Sequence, residues 1–169
     1  MSKHSLAFST HLVHAGEKPD PLTGAIAPVL VRSKTFAQPG LGEEPTYMYS
    51  RGKNPTRTIL EDKLAELVGG GEATVFSSGD AATTMFLLTL NPGDHIIACK
   101  ELYGGTVRLF DQLFSKFGIS VSYINVENET ELKNALTNNT VAIWVESPTN
   151  PKLGIIDLHK IGVIEKNYN

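Results

Sequence analysis

The sequence predicts an α/β domain built on a mostly parallel sheet with flanking helices, preceded by an extended N-terminal arm. Three observations point there. Short apolar runs rich in branched residues, such as His95–Cys99 and Val141–Val145, alternate with stretches of helical periodicity. Turn chemistry separates them, with Asn91-Pro92-Gly93-Asp94 the clearest case. Residues 1–54, by contrast, are dense in Pro and Gly and sustain neither period.

The elements follow in order. Residues 1–54 form the arm, whose apolar residues Leu30, Val31 and Phe36 need another surface, such as a partner subunit, to cover them. Residues 55–169 form the domain proper. Asn54 caps a helix with Pro55 at its first position; Leu60, Leu64, Leu67 and Val68 make its apolar face and Gly69-Gly70 ends it. A short strand over Ala73–Ser77 leads into a helix over Gly79–Leu90, apolar enough to be buried all round. His95–Cys99 is the second strand. The next helix, from about Thr106 to Lys116, turns Val107, Phe110, Leu113, Phe114 and Phe117 inward and closes at Gly118. Ile119–Ile124 is a third strand. Asn128 and Glu131 make a capping pair for a helix to Leu136, Val141–Val145 is a fourth strand, and Asp157 opens a last helix.

At 169 residues with 41% hydrophobic content the chain can build a sizeable core. A net charge of -3 with scattered Lys and Arg gives no reason to expect nucleic acid or an anionic membrane as partner. The one cysteine, Cys99, excludes an internal disulfide and reads as a buried structural thiol in a reducing cytoplasm. Five histidines fall into no metal-ligand spacing, so no metal is expected.

In a mostly parallel sheet, ligands sit at the carboxyl ends of the strands. Four segments stand at or before such ends. Tyr49-Ser50-Arg51 places a phenol and a guanidinium two residues apart, on one face of an extended segment, where they suit a phosphate. Ser77-Ser78-Gly79-Asp80 opens a helix, so the amides of Gly79 and Asp80 and the hydroxyl of Ser78 can face an anion, although the Asp80 charge opposes one. In Leu102-Tyr103-Gly104-Gly105-Thr106, an aromatic ring at a helix entrance can stack on a planar group. Glu146-Ser147-Pro148-Thr149-Asn150-Pro151 carries a carboxylate and an amide on a proline-stiffened loop. Singly, each has a plain structural reading as a surface contact, a cap or a turn. No glycine-rich dinucleotide or Walker-type fingerprint accompanies them.

In this order, Tyr-Ser-Arg-x-x-Asn-Pro-Thr-Arg, Ser-Ser-Gly-x-Ala-Ala, Tyr-Gly-Gly-Thr and Glu-Ser-Pro-Thr-Asn-Pro resemble the pyridoxal-phosphate enzymes of cysteine and methionine metabolism, among them cystathionine γ-synthase and γ-lyase. The resemblance begins at Thr10–Gly16 and covers almost the whole chain. It implies the large domain of a fold-type I, aminotransferase-like enzyme with pyridoxal 5'-phosphate (PLP) as cofactor, acting in the cytoplasm. The activity implied is γ or β elimination or replacement on cystathionine or an activated homoserine. It further implies a homo-oligomer, a dimer of dimers, in which Tyr49 and Arg51 reach the cofactor phosphate of the neighbouring subunit. Gly79 and Asp80 would offer amides to the phosphate of their own, with Ser78 beside them. Tyr103 would stack on the pyridine ring, as the catalytic candidate, Asn150 would hydrogen-bond its phenolic oxygen, and Glu146 would lie close behind. Gly105 stands where methionine γ-lyases carry cysteine, which tilts the resemblance toward the cystathionine enzymes.

Two departures shape the expectation. Position 80 is commonly uncharged in these enzymes. The aspartate that pairs with the pyridine nitrogen, the Schiff-base lysine and the carboxylate-binding arginine all follow the Ser-Pro-Thr-Asn-Pro segment in the family. The sequence therefore reads as the N-terminal part of such an enzyme, inactive alone, or as a non-catalytic remnant or dimerisation module of that family.

Overall fold

The computed structural model describes residues 7–166. It divides into two compact units, Met1–Phe76 and Ser77–Asn169.

In the first unit the arm is less uniform than its composition implies. Phe8–His14 forms a helix, α1, within the arm expected to be extended. Seven residues are too few to display a periodicity, and α1 buries none of its own side chains. It is held from α2, Pro55–Leu67: Lys63 donates through Nζ to the Val13 carbonyl at 3.1 Å and to Glu17 Oε1 at 2.6 Å, and the Gly16 amide donates to Glu66 Oε2 at 2.6 Å. Gly16 has φ +66°, and a Cβ there would lie 2.8 Å from the Lys63 backbone, so the close approach requires glycine. Beyond it, up to α2, the chain forms no helix or strand, only turns, bends and one antiparallel bridge between Thr35 and Tyr49.

The start of α2 is as the sequence dictates. Asn54 Oδ1 accepts the Thr56 amide at 2.9 Å, and Asn54 Nδ2 donates to Ser50 Oγ at 2.8 Å. The apolar face is another matter. Only Ala65 is buried in α2, while Leu60, Leu64 and Val68 remain exposed in the single chain. No strand forms at 73–77: among the described residues no neighbouring strand offers it a ladder.

The second unit carries a three-stranded, all-parallel sheet of order β2-β1-β3, from β1 (His95–Cys99), β2 (Ser120–Ile124) and β3 (Thr140–Trp144). Every residue of β1 is buried, as a central strand covered on both faces requires. The β1–β3 register slips between His95 and Ile96, leaving Val141 as an extra, half-exposed residue in a bulge. His95 spans all three strands, with Nδ1 2.8 Å from Thr140 Oγ1 and Nε2 2.9 Å from Ser122 Oγ. Burial pushes its imidazole below the ordinary range.

Helix α3 (Gly79–Leu87) is shorter than expected and not enclosed. Thr83 and Leu87 are buried, whereas Met85, Phe86 and Leu88 are exposed, so its apolar composition does not translate into burial on all sides within this chain. The expected helix over 106–116 starts earlier and is heterogeneous: α4 (Gly104–Arg108), then a π turn (Leu109–Leu113), then a 3-10 turn (Phe114–Phe117). The π turn takes up an extra residue, and Ser115 Oγ donates to the Asp111 carbonyl at 2.6 Å. Phe110 and Phe114 stay buried, but Leu113 and Phe117 rotate out of the core. Gly118, at φ 81°, ends the segment. Helix α5 (Glu129–Ala135) has its capping pair, with Asn128 Oδ1 accepting the Thr130 and Glu131 amides at 3.1 and 3.3 Å. Helix α6 (Leu158–Lys166) begins after Asp157, whose Oδ1 accepts the Lys160 amide at 3.1 Å. Among the described residues no helix is long and apolar enough to cross a membrane.

Candidate functional site

Strand β1 connects onward to β2 on one side, and β3 lies on its other side, so the switch point of the sheet falls between the carboxyl ends of β1 and β3. A groove of about 390 Å³ opens there, lined by Ser78, Gly79, Asp80, Tyr103, Trp144 and Glu146 together with Thr83, Thr106 and Val145.

Its floor is the N-terminus of α3. Ser78 is extended (φ -158°, ψ 160°), and its hydroxyl accepts the Ala81 amide at 3.1 Å. The hydroxyl oxygen thereby caps the helix. The amides of Gly79 and Asp80, in the first turn, have no acceptor among the described residues, and a Cβ on Gly79 would meet nothing within 4 Å. Two free amides beside open space at the positive end of a nine-residue helix form an anion cradle.

Asp80 lines the groove, with its carboxylate beside Gly105. A Cβ on Gly105 would lie 2.9 and 3.0 Å from its Oδ2 and Oδ1, and against Tyr103 Cε1, so carboxylate and ring edge meet over the bare Cα of Gly105. The carboxylate is turned to the α4 entrance, which eases its conflict with a bound anion without abolishing it.

Tyr103 stands at that entrance, 47% exposed as a residue and so accessible for stacking. Its amide donates to Glu146 Oε2 at 2.7 Å. Glu146 is thus engaged with the backbone of Tyr103, one step behind the open surface. Asn150 is not part of the groove's lining: it is exposed on the loop that leaves β3, next to buried Thr149.

Tyr49 and Arg51 belong to the other unit. The Arg51 guanidinium lies 5.0 Å from the centroid of the Tyr49 ring, so the two side chains do share a face.

Sequence reasoning passed over Trp144 and Thr83. Trp144 ends β3, in an edge-to-face contact with Phe110 (centroids 5.7 Å apart, 88°) and tilted against Phe86 (5.5 Å). Its position near the carboxyl end of an apolar strand was the available signal. Thr83 carried none, since its place one turn into α3 shows only once the helix is docked.

The matching family model is that of the Cys/Met metabolism PLP-dependent enzymes, over residues 9–169. The chain belongs to this family. Among similar members, the cystathionine beta-lyase of Coxiella burnetii is 43% identical over 163 residues, 96% of this chain and 42% of that protein. The probable cystathionine gamma-synthase of Herpetosiphon aurantiacus is 38% identical, over 95% of this chain and 50% of that protein. The crystal structure of metB from Corynebacterium glutamicum superposes with a TM-score of 0.88 at 40% identity, covering 99% of this chain and 44% of that one. Cystathionine gamma-lyase from Lactobacillus plantarum, complexed with L-serine, gives 0.89 at 36% identity, covering 96% and 42%. The chain thus spans about half the length, or less, of these relatives, whose names include a β-lyase alongside the γ-synthase and γ-lyase of the expectation. The parallel sheet with its flanking helices is part of a fold-type I large domain.

The groove suits the cofactor of this family. A phosphate dianion matches two unpaired amides at a helix N-terminus, and a planar pyridine ring matches the open face of Tyr103. Among the lining residues, the carboxylate of Asp80, at the helix end that would receive the phosphate, works against the fit.

Proposed function

We propose that these 169 residues form the phosphate- and ring-binding part of a PLP-dependent lyase or transferase of sulfur amino acids, acting by γ or β elimination or replacement on cystathionine or an activated homoserine. The observation that carries this reading is the convergence of the free Gly79 and Asp80 amides, the accessible Tyr103 ring and Glu146 in one groove at the switch point of the sheet.

Bound there, PLP supplies the electron-withdrawing ring that carbanion chemistry on an amino acid requires. The chain's own residues bind and orient. The Gly79 and Asp80 amides donate to the phosphate, and Ser78 holds the helix turn that presents them. Tyr103 covers one face of the ring and excludes water from it. Asn150 donates to the ring's phenolic oxygen from the loop after β3. Residues 1–54 act as a dimer arm in a cytoplasmic homo-oligomer, and Tyr49 and Arg51 serve the phosphate of a second copy, where a phenol and a guanidinium add a neutral donor and a permanent charge. Exposed Leu22, Ile26, Leu30 and Leu41 along the arm support a covered role for it.

Lysine capture of substrate or cofactor has no candidate in the groove. Its lining contains no lysine, and Lys100 and Lys152 are paired with Glu131 and Glu101. The 169-residue chain is accordingly expected to bind PLP without turning over cystathionine.

Trp144, the one tryptophan, lines the groove and reports on it. Titration with PLP should quench its fluorescence saturably, inorganic phosphate should compete, and Tyr103→Ala should weaken binding. Absence of quenching, or quenching indifferent to phosphate, would refute the site.

A further inference from the structure

The loops that leave β1 and β3 hold one another through two carboxylates placed crosswise. Glu146, on the β3 loop, accepts the Tyr103 amide of the β1 loop at 2.7 Å. Glu101, on the β1 loop, accepts the Thr149 hydroxyl of the β3 loop at 3.1 Å through Oε2 and is paired with Lys152 through Oε1. The Lys152 and Thr149 hydrogen bonds hold the Glu101 carboxyl below its ordinary range.

The β3 loop is internally stiff at the point where Glu101 grips it. Thr149 is 6% exposed, its amide donates to the Gly154 carbonyl at 2.8 Å, and its Oγ1 accepts the Gly154 amide at 2.9 Å. Its hydroxyl hydrogen goes to Glu101, so Oγ1 is used as both donor and acceptor. Below it, Ser147 Oγ accepts the Ile156 amide at 3.0 Å. Asn150 directly follows Thr149, as Tyr103 lies two residues after Glu101. Each carboxylate therefore reaches from one loop to a point within two residues of a side chain that the proposed function places against the cofactor ring.

We propose that Glu101 and Glu146 form a crossed clasp that positions Tyr103 and Asn150 relative to one another, so that the face and the edge of a bound pyridine ring are held by one rigid unit. This rests on the assignment of Tyr103 and Asn150 to the cofactor ring. Neither glutamate is given contact with the cofactor; both are positioning residues. The exposed Lys152 pair contributes little, because a solvated ion pair is screened. The bond to buried Thr149 carries the grip on that side.

The test uses the full 169-residue chain and two readouts: PLP affinity from Trp144 quenching, and NMR hydrogen exchange at the Tyr103 amide. Glu101→Ala and Glu146→Ala should each weaken PLP binding about tenfold, the scale of one charge-assisted hydrogen bond. The double variant should lose little more than either, because opening the clasp at one end opens it. Glu101→Gln and Glu146→Gln, which keep an acceptor oxygen, should recover to within about threefold, and Lys152→Met to within about twofold. Exchange at Tyr103 should quicken in Glu146→Ala and also in Glu101→Ala, whose side chain does not touch that amide. Additive losses of affinity, failure of the glutamine variants to rescue, or unaltered Tyr103 exchange in Glu101→Ala would each overturn the clasp. If the wild-type chain gives no saturable quenching, the cofactor reading fails on its own. The exchange experiment then still decides whether the two loops are coupled, and uncoupled loops overturn the proposal.

Discussion

Replacing Gly105 by alanine sets stability against cofactor binding. The new Cβ would land against Tyr103 Cε1, well inside van der Waals contact, and 2.9 and 3.0 Å from the Asp80 carboxylate oxygens. All three atoms belong to side chains, and Tyr103 is 47% exposed, so the crowding is relieved by swinging the ring outward. Overpacking typically costs about 1–3 kcal/mol, but an exposed ring yields at the low end, and alanine gains about 1 kcal/mol over glycine within a helix. These nearly cancel. The melting midpoint should shift by no more than a few degrees. PLP binding should suffer, because the displaced ring no longer presents its face to the groove. Loss of one aromatic stacking contact, about 0.5–1.5 kcal/mol, weakens affinity roughly two- to twelvefold. The assay is PLP quenching of Trp144, with a thermal melt of the same sample. In a Tyr103→Ala background, Gly105→Ala should cause no further loss, since the ring mediates the effect. Unchanged affinity in the single variant, or a full loss that persists without the Tyr103 ring, would refute the reasoning.

Asp80→Asn removes a negative charge from the helix end that receives the phosphate, and should tighten PLP binding by on the order of 1 kcal/mol, about fivefold, with the gain shrinking at high salt; a salt-dependent titration checks it, and weaker binding would contradict it. His95, held below its ordinary 6.5 by burial, links stability to pH. Its contribution is fully present above the unfolded value near 6.5 and is lost as pH falls through the depressed folded value, because only the unfolded chain takes up the proton first. Urea midpoints across pH 5 to 8 should fall toward acid, and His95→Gln should flatten that part of the curve. Asn128→Ala removes the acceptor for two amides at the start of α5 and should cost about 1 kcal/mol of stability while PLP affinity stays unchanged.

The legible parts of the chain were those whose cause is local. Asn54 followed by Pro55, Asn128 with Glu131, and Gly118 after the phenylalanines each start or stop a helix through atoms within a few residues, and each does so here. Strand β1 was legible because five buried residues bounded by Pro-Gly-Asp on one side and a charged loop on the other fit little else. The chemistry-bearing residues at the sheet's carboxyl end were legible as residue types at turns, and five of them, Ser78, Gly79, Asp80, Tyr103 and Glu146, do meet in one groove.

What failed were inferences that needed a neighbour. The run 73–77 has strand-like composition but no partner strand among the described residues, so composition alone did not make it a strand. The helix after Tyr103 changes its winding at Leu109, so of the apolar face read at a constant 3.6 period Phe110 and Phe114 stay buried while Leu113 and Phe117 do not. Apolar composition marked α3 as buried, yet burial depends on what packs against each face.

By itself, the sequence determined the family, the parallel α/β class, the helix caps and the identities of the groups that gather at the strand ends, because these depend on local bonding or on motifs in register. The tertiary structure alone decided what each group does. Only in three dimensions does Asp80 lie beside Gly105, and Glu146 bond to the backbone of Tyr103 rather than stay open. A carboxylate's role is set by the donor it reaches, and Glu146 and Tyr103 lie 43 residues apart in the chain.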